Sequence, residues 1–291
     1  MAKKLKLLIV GGSGFVGTSL TKMFVDQFQV FSSYHHSYTP IKGAHYLPIP
    51  TLSEKDQCNR FIYSIEPDVL IYCLGSNDEA EAEKETKKAQ HIHSGGITHL
   101  LHATEVIKAK FIYISSDFVF SGSGGNFSEH DTALPFVQLG KAKSGAENYL
   151  KSCSLNHLII RSAPLLGRGT LDHPSWLDQV RDKIIHNKKV QMSSKNVHNP
   201  VHISFLAEVI VKAIEKDLRN EFLHVGGLTK ISAYELTKRF LVEIGLPPHF
   251  VEMSDGDSAG SLNDYSLNFS ETLNLIEAKP LFLEQSFDLL K

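Results

Sequence analysis

Residues 11–17 read GGSGFVG and follow directly on a short apolar run from Leu5 to Val10. Gly11, Gly14 and Gly17 stand three apart, and Gly12, Gly14 and Gly17 also match G-x-G-x-x-G. This spacing has a chemical reading. A tight turn after a strand needs a residue without a Cβ, a pyrophosphate must approach bare backbone, and the last glycine lets the following helix sit close to the strand. The helix N-terminus then offers unpaired N–H groups and a positive dipole end to phosphate oxygens. The segment is therefore expected to hold a dinucleotide. Gly11, Ser13, Gly14, Phe15 and Val16 surround the pyrophosphate in this reading, and Gly17 packs the helix. The alternative is a glycine-rich turn without a ligand.

A site for NAD usually places a carboxylate at the end of the second strand, about twenty residues on, where it binds the ribose hydroxyls. Here that end reads Ser32-Ser33-Tyr34-His35-His36, with neither acid nor arginine. Without the acid a 2′-phosphate meets no repulsion, and a serine hydroxyl or His35 could contact it. Ser33 and His35 thus join the cofactor residues and NADP is favoured over NAD, although His35 and His36 read equally well as solvated loop residues. Cys73, Leu74 and Gly75, at the end of the third apolar run, complete the cofactor set.

Fifteen histidines is a high count, and His91, His93, His99 and His102 crowd one expected helix. Their spacing is not H-E-x-x-H and no carboxylate accompanies them in a ligand pattern, so no metal site is expected and the imidazoles read as solvated or interfacial. The charge run from Glu79 to Lys88 alternates acids and bases at helical spacing, as a solvated helix start does. Cys58, Cys73 and Cys153 are odd in number, far apart and in no C-x-x-C pair. That argues against a disulfide framework or a thiolate zinc site and fits a reducing cytoplasm.

The elements that would position these residues alternate. Residues 5–10 form a strand buried on both faces, and Val16, Leu20, Phe24 and Phe28 line one face of a helix over 15–28. A strand over 29–33, a polar helix over 54–64, a strand over 69–74, a long helix over 79–108 and a strand over 111–115 follow. A helix over 136–152 and a strand over 158–161 close the series. Strands separated by helices make parallel β-α-β units and a doubly wound sheet. After Arg161 the prolines and glycines at 164, 167, 169 and 174 break the rhythm. The expected fold is therefore α/β, with a Rossmann-type domain over 1–162 and a smaller α/β substrate lobe over 163–291 that exchanges segments with it. The lobe is expected to hold a helix over 176–186, a strand near Val190, a helix over 203–215, a strand over 222–225 and a helix over 233–244.

The 291 residues suffice for one large domain or two joined ones. Thirty basic against thirty-two acidic side chains leave a net charge of -2, so there is no general positive field for nucleic acid or an anionic membrane. The first apolar run is too short for a signal peptide, and nowhere do eighteen apolar residues run together to span a membrane.

The fourth strand ends FIYISSDFVFSG, and PFVQLGKAKSGAENY follows about twenty residues later. With GGSGFVG, these segments resemble the extended short-chain dehydrogenase/reductases, and within them the dTDP-4-dehydrorhamnose reductase-like group, which includes the regulatory beta subunit of methionine adenosyltransferase. SSKNVHNPVHISFLAEV and FLHVGGLTKISAYEL also resemble that group's second lobe. The resemblance implies that Ser116 binds a substrate carbonyl and that Lys143 holds the nicotinamide ribose. It further implies that Asp117 and Phe118 face a nucleotide sugar. The family's proton-donating tyrosine falls on Leu139, so this catalytic position carries no proton. A phenol protonates the alkoxide left by hydride transfer, and such acids are typically worth a hundred- to ten-thousand-fold, roughly, in rate. Tyr149 lies ten residues beyond, and Tyr113 is expected to be packed within its strand; Asp117 or a water remains as donor. Two further motifs depart from the family, whose acidic pair near the adenine appears as Leu47-Pro48-Ile49 and whose Arg-Pro pair appears as Ser261-Leu262. Arg161 either reaches a substrate phosphate or forms a structural salt bridge. Trp176 either stacks on a base or anchors the core. The expected function is an NAD(P)-dependent reductase of a nucleotide sugar; the alternative is a non-redox NAD(P)-binding regulatory protein. Family habit favours a homodimer, and the regulatory alternative implies a protein partner.

Overall fold

A computed structural model describes residues 3–153, 155–254 and 262–291. The chain opens with β1 (Lys6–Val10), α1 (Phe15–Phe24) and β2 (Gln29–Tyr34), then β3 (His45–Pro48), α2 (Lys55–Ile65) and β4 (Val69–Tyr72). Two short helices follow, α3 (Glu79–Lys84) and α4 (Thr86–Gln90), then a π-helical turn His91–Gly95 and α5 (Ile97–Val106). β5 (Lys110–Ser116), α6 (Gln138–Ser152) and β6 (His157–Ser162) complete the first part.

Leu7 to Val10, Leu70, Ile71, Phe111, Ile112, Leu158, Ile159 and Ile160 are 0% exposed, as continuous apolar runs covered on both faces should be. The sheet has seven strands, all parallel, in the order Glu221–Val225, β6, β5, β4, β1, β2, β3. The order reverses between β1 and β4, where doubly wound sheets open a crevice for ligands. One face packs on α1 and on α8 (Ile203–Glu215), the other on α2, α5 and α6.

Four expectations change. The strand expected over 222–225 does not belong to the small lobe; as Glu221–Val225 it pairs with β6, Leu223 opposite Ile160, as the seventh strand of the main sheet. Residues 203–215 likewise place Leu206, Val209, Ile210 and Ala213 in the core beneath that sheet, beside Leu20 and Phe24 of α1. The residues 47–49 were read only as a motif, yet Leu47 and Pro48 lie in β3, an edge strand whose proline removes no sheet hydrogen bond. The helix expected over 79–108 is broken: Asp78 caps α3, and the chain widens into a π turn at His91–Gly95 that ends in the Gly95-Gly96 pair, both poor helix formers.

The small lobe has its own core, built by α7 (Trp176–Ile185), α9 (Ala233–Glu243) and the residues around Leu283 and Phe287. Its strands are short: Val190–Met192 pairs with Val251–Met253, and Asn196–His198 lies between Ile231–Ser232 and Asn263–Asp264. Ser261 lies outside the described residues. Among those described, no helix is long and apolar enough to cross a membrane.

Candidate active site

The glycine loop is built as a cradle of backbone. Gly11 has φ +92°, which favours a residue without a Cβ, and a Cβ there would lie 2.7 Å from the Leu74 nitrogen. At Gly17 a Cβ would drive into the Gly11 carbonyl, so its absence lets α1 seat against the turn. Gly14 precedes α1 without any side-chain cap, and the N–H groups of the first turn, from Phe15 onward, are left for an outside acceptor. Ser13 donates its N–H to Ser33 O (3.1 Å) and its carbonyl accepts the Thr18 hydroxyl (3.1 Å). The Phe15 ring packs where a Cβ on Gly167 would fall, and Val16 leans on the core below the sheet.

The end of β2 clamps this loop. Ser33 Oγ accepts the Gly11 N–H at 2.9 Å, and Ser32 Oγ meets Thr21 Oγ1 at 3.1 Å. Both serines are 0% exposed. Neither hydroxyl is therefore placed to contact a 2′-phosphate, which corrects the expectation for Ser33: its side chain shapes the loop. His35 is exposed, its ring 3.9 Å from that of His36. On the other side of β1, Cys73 extends the sheet by donating its N–H to Val10 O (2.9 Å), and burial pushes its thiol up to about 12. Leu74 backs Gly11, while Gly75, with φ +104°, makes room for the His93 ring.

A second group of side chains gathers at the end of β5. Ser116 Oγ donates to Asp117 Oδ1 (3.0 Å) and accepts the Phe118 N–H (3.3 Å). Asp117 is 1% exposed, and its other oxygen lies 2.6 Å from His198 Nδ1. The His198 ring stacks on Tyr265 at 5.3 Å, and Phe118 packs edge-on against both rings. From α3, Glu79 Oε2 accepts the Asn196 side-chain N–H at 3.4 Å; burial raises the Glu79 pKa, with His198 opposing. The Tyr265 phenol is pushed up to about 12, first by burial and then by the charges of Glu79 and Asp117.

Helix α6 runs past this group because Gly140 brings its backbone against the Phe118 carbonyl, where a Cβ would collide. Lys143, one turn on from Leu139, is 3% exposed and donates its Nζ proton to Ile114 O at 3.1 Å. Burial lowers its pKa to about 8 while Glu147, Cys73 and Asp117 pull the other way. Leu139 is 0% exposed. Tyr113 is also fully buried; its hydroxyl donates to His93 O at 3.2 Å, as Tyr72 does to Ile92 O at 2.5 Å, and burial raises both phenols well above the usual range. These two carbonyls belong to the π turn.

Two expected residues have partners outside this group. Arg161 is 3% exposed and committed to Glu147, with Nη2 to Oε2 at 2.8 Å and Nε to Oε1 at 3.1 Å. Its guanidinium lies 4.3 Å from the Phe222 ring and 4.9 Å from that of Phe120. It is a structural salt bridge rather than a phosphate ligand. Trp176 packs against the small-lobe core. Sequence reasoning missed Glu79, His198 and Tyr265. Only His198 sat in a quoted motif, SSKNVHNPVHISFLAEV, and nothing in its spacing pointed to Asp117. Among the described residues, no three His, Cys, Asp or Glu side chains come together to hold a metal ion.

Residues 5–258 match the RmlD substrate binding domain family. The beta subunit of methionine adenosyltransferase 2 from Rattus norvegicus is 24% identical over 263 residues, 88% of this chain and 77% of its own. A hypothetical dTDP-4-dehydrorhamnose reductase from Sulfolobus tokodaii superposes with a TM-score of 0.79 at 27% identity, covering 96% of this chain and 98% of that one. A dTDP-4-dehydrorhamnose reductase from Bacillus anthracis, solved in complex with NADP, shares the fold with a TM-score of 0.81 at 19% identity over 98% of both chains.

Proposed function

The chain belongs to the RmlD substrate binding domain family, and from that premise we propose that it is an NAD(P)-dependent reductase of a nucleotide sugar bearing a 4-keto group. The observation that carries the reading is the convergence of three devices at one end of the sheet: the backbone cradle of residues 11–17, Ser116 with Asp117 at the end of β5, and the buried Lys143 of α6. A dinucleotide fits these residues. The cradle leaves room for bare backbone alone, and the first turn of α1 offers free N–H donors to the pyrophosphate. Lys143 would hold the nicotinamide ribose in exchange for Ile114 O, and its charge would favour negative charge developing nearby. When bound, the reduced nicotinamide supplies a hydride. Ser116 would turn its hydroxyl from Asp117 to the substrate carbonyl. NADP is our preferred form, because β2 ends at Tyr34 and runs into His35-His36 without a carboxylate, and His35 is exposed there.

A second reading has its own support. Leu139, one turn before Lys143, carries no proton, and a relative named as a methionine adenosyltransferase subunit matches most of the chain. Under it the protein binds the dinucleotide without redox chemistry and serves a protein partner. Titration with NADPH and NADH by nicotinamide fluorescence, followed by a panel of 4-keto nucleotide sugars, separates the two. The reductase reading expects saturable binding and then loss of the reduced-cofactor signal. Binding with a signal that persists across the panel refutes it in favour of the second.

A further inference from the structure

We infer that His198, held by Asp117, is the general acid of the reduction, in place of a helix-borne tyrosine. The inference rests on the reductase reading above. When the carbonyl carbon gains a hydride, the π pair of the C=O bond moves to oxygen and must take a proton. The helix position that would ordinarily give it is empty, and two phenols of the neighbouring strands are engaged. Leu139 has no proton to give, and the phenols of Tyr113 and Tyr72 already donate to the carbonyls of His93 and Ile92 within the core.

His198 is placed otherwise. Its Nδ1 lies 2.6 Å from Asp117 Oδ2, while Oδ1 of the same carboxylate accepts the Ser116 hydroxyl at 3.0 Å. One carboxylate therefore bridges the imidazole and the hydroxyl assigned to the substrate carbonyl, which gathers both side chains into one cluster at the end of β5. Tyr265 stacked at 5.3 Å and Phe118 edge-on at 5.1 Å fix the ring plane. The ring meets Asp117 through Nδ1, so Nε2, the nitrogen opposite Asp117, is the one left to face a substrate. A carboxylate on one ring nitrogen that orients the other for proton transfer is a device of acid–base catalysis generally. The titratable groups facing the ring are Asp117 from the end of β5, Glu79 from α3 and the Tyr265 phenol.

In the step, the Nε2–H bond of the imidazolium breaks as the new O–H bond forms. The hydride comes from the reduced nicotinamide, the substrate leaves as an alcohol, and the imidazole, left neutral, recovers a proton from solvent. Asp117, which orients the ring, is a positioning residue.

The test compares H198Q in two backgrounds, the natural chain and L139Y, which restores a phenol at the helix position. Single-turnover oxidation of bound NADPH by a 4-keto nucleotide sugar is the rate measured, and NADPH fluorescence titration checks that each variant keeps its cofactor site. H198Q is expected to slow the natural chain by about a hundredfold or more, a typical value for a lost general acid, and to slow L139Y far less, because the phenol supplies the proton there. Equal slowing in both backgrounds would mean a structural role and overturn the assignment, as would an undiminished rate in H198Q. Turnover by L139Y but not by the natural chain also overturns it, while leaving the site reading intact. No turnover in either background overturns the reductase reading along with it.

Discussion

Replacing Arg161 by methionine removes the positive half of an ion pair whose side chains are 3% and 1% exposed. Glu147 then keeps one donor, the Ser115 hydroxyl at 2.6 Å, in place of the three guanidinium contacts it has now at 2.8, 3.1 and 3.3 Å. A carboxylate left unpaired in such surroundings typically destabilises a protein by about 3–5 kcal/mol, whereas removing both charges in favour of apolar groups of similar volume is often neutral or better. Arg161→Met alone should therefore lower stability by about 3–5 kcal/mol, and R161M/E147L should recover most of that loss. Urea unfolding at pH 7 measures both, and an unchanged slope with a shifted midpoint identifies a pure stability change. The guanidinium is enclosed between the Phe120 and Phe222 rings, so R161M that remains folded should bind NADPH as the natural chain does. A stable R161M with weakened nucleotide-sugar binding would refute this reasoning and return Arg161 to the substrate.

Two other perturbations bear on the cofactor site. Burial holds the Lys143 pKa at about 8 against the ordinary lysine value of 10.5, so the unfolded chain binds more protons between those values and stability gained from this group rises with pH across that window. The stability difference between K143M and the natural chain should accordingly shift by about 2 kcal/mol in favour of the natural chain between pH 7 and pH 9.5, read by denaturant titration at both pH values. A constant difference would show that the ammonium is not desolvated. Gly17→Ala places a methyl against the Gly11 carbonyl, so the loop must move, and NADPH affinity should fall by tenfold or more, roughly 1.4 kcal/mol, by fluorescence titration. Wild-type affinity in this variant would mean that the loop does not carry the pyrophosphate.

The glycine loop was legible because its requirements are local: turn, bare backbone and helix start all fall within residues 11–17. The central strands were legible for a similar reason, since burial on both faces leaves continuous runs such as Leu7 to Val10. What pairs across distance was not. The strand Glu221–Val225 was readable as a strand, but its neighbour β6 lies some sixty residues earlier, and only the assembled sheet assigns it. Ser33 was readable as a polar residue at a strand end, yet the register that sets Ile9 opposite Ser32 turns its hydroxyl under Gly11. The contact between His198 and Asp117 spans 81 residues and leaves no periodic trace. β3 is four residues long with both ends exposed, so it lacked an apolar signature altogether.

The seventh strand has a bearing on how the chain is made. After β6 the polypeptide leaves the sheet, returns for Ile203–Glu215 and Glu221–Val225, departs to form Ile231–Ser232 and α9, and returns again with Ser270–Ile276, whose Ile276 lies in the same core as Leu20. A nascent chain that has emerged only as far as residue 162 presents β6 as an open edge, with Leu158 and Ile160 uncovered on the side that α8 will later occupy. Exposed apolar edge strands are templates for pairing with other chains. The first half therefore cannot mature during synthesis as an independent unit. It must wait for residues some sixty positions downstream, so the interval between emergence of β6 and capture of the seventh strand is when this protein is most open to aggregation.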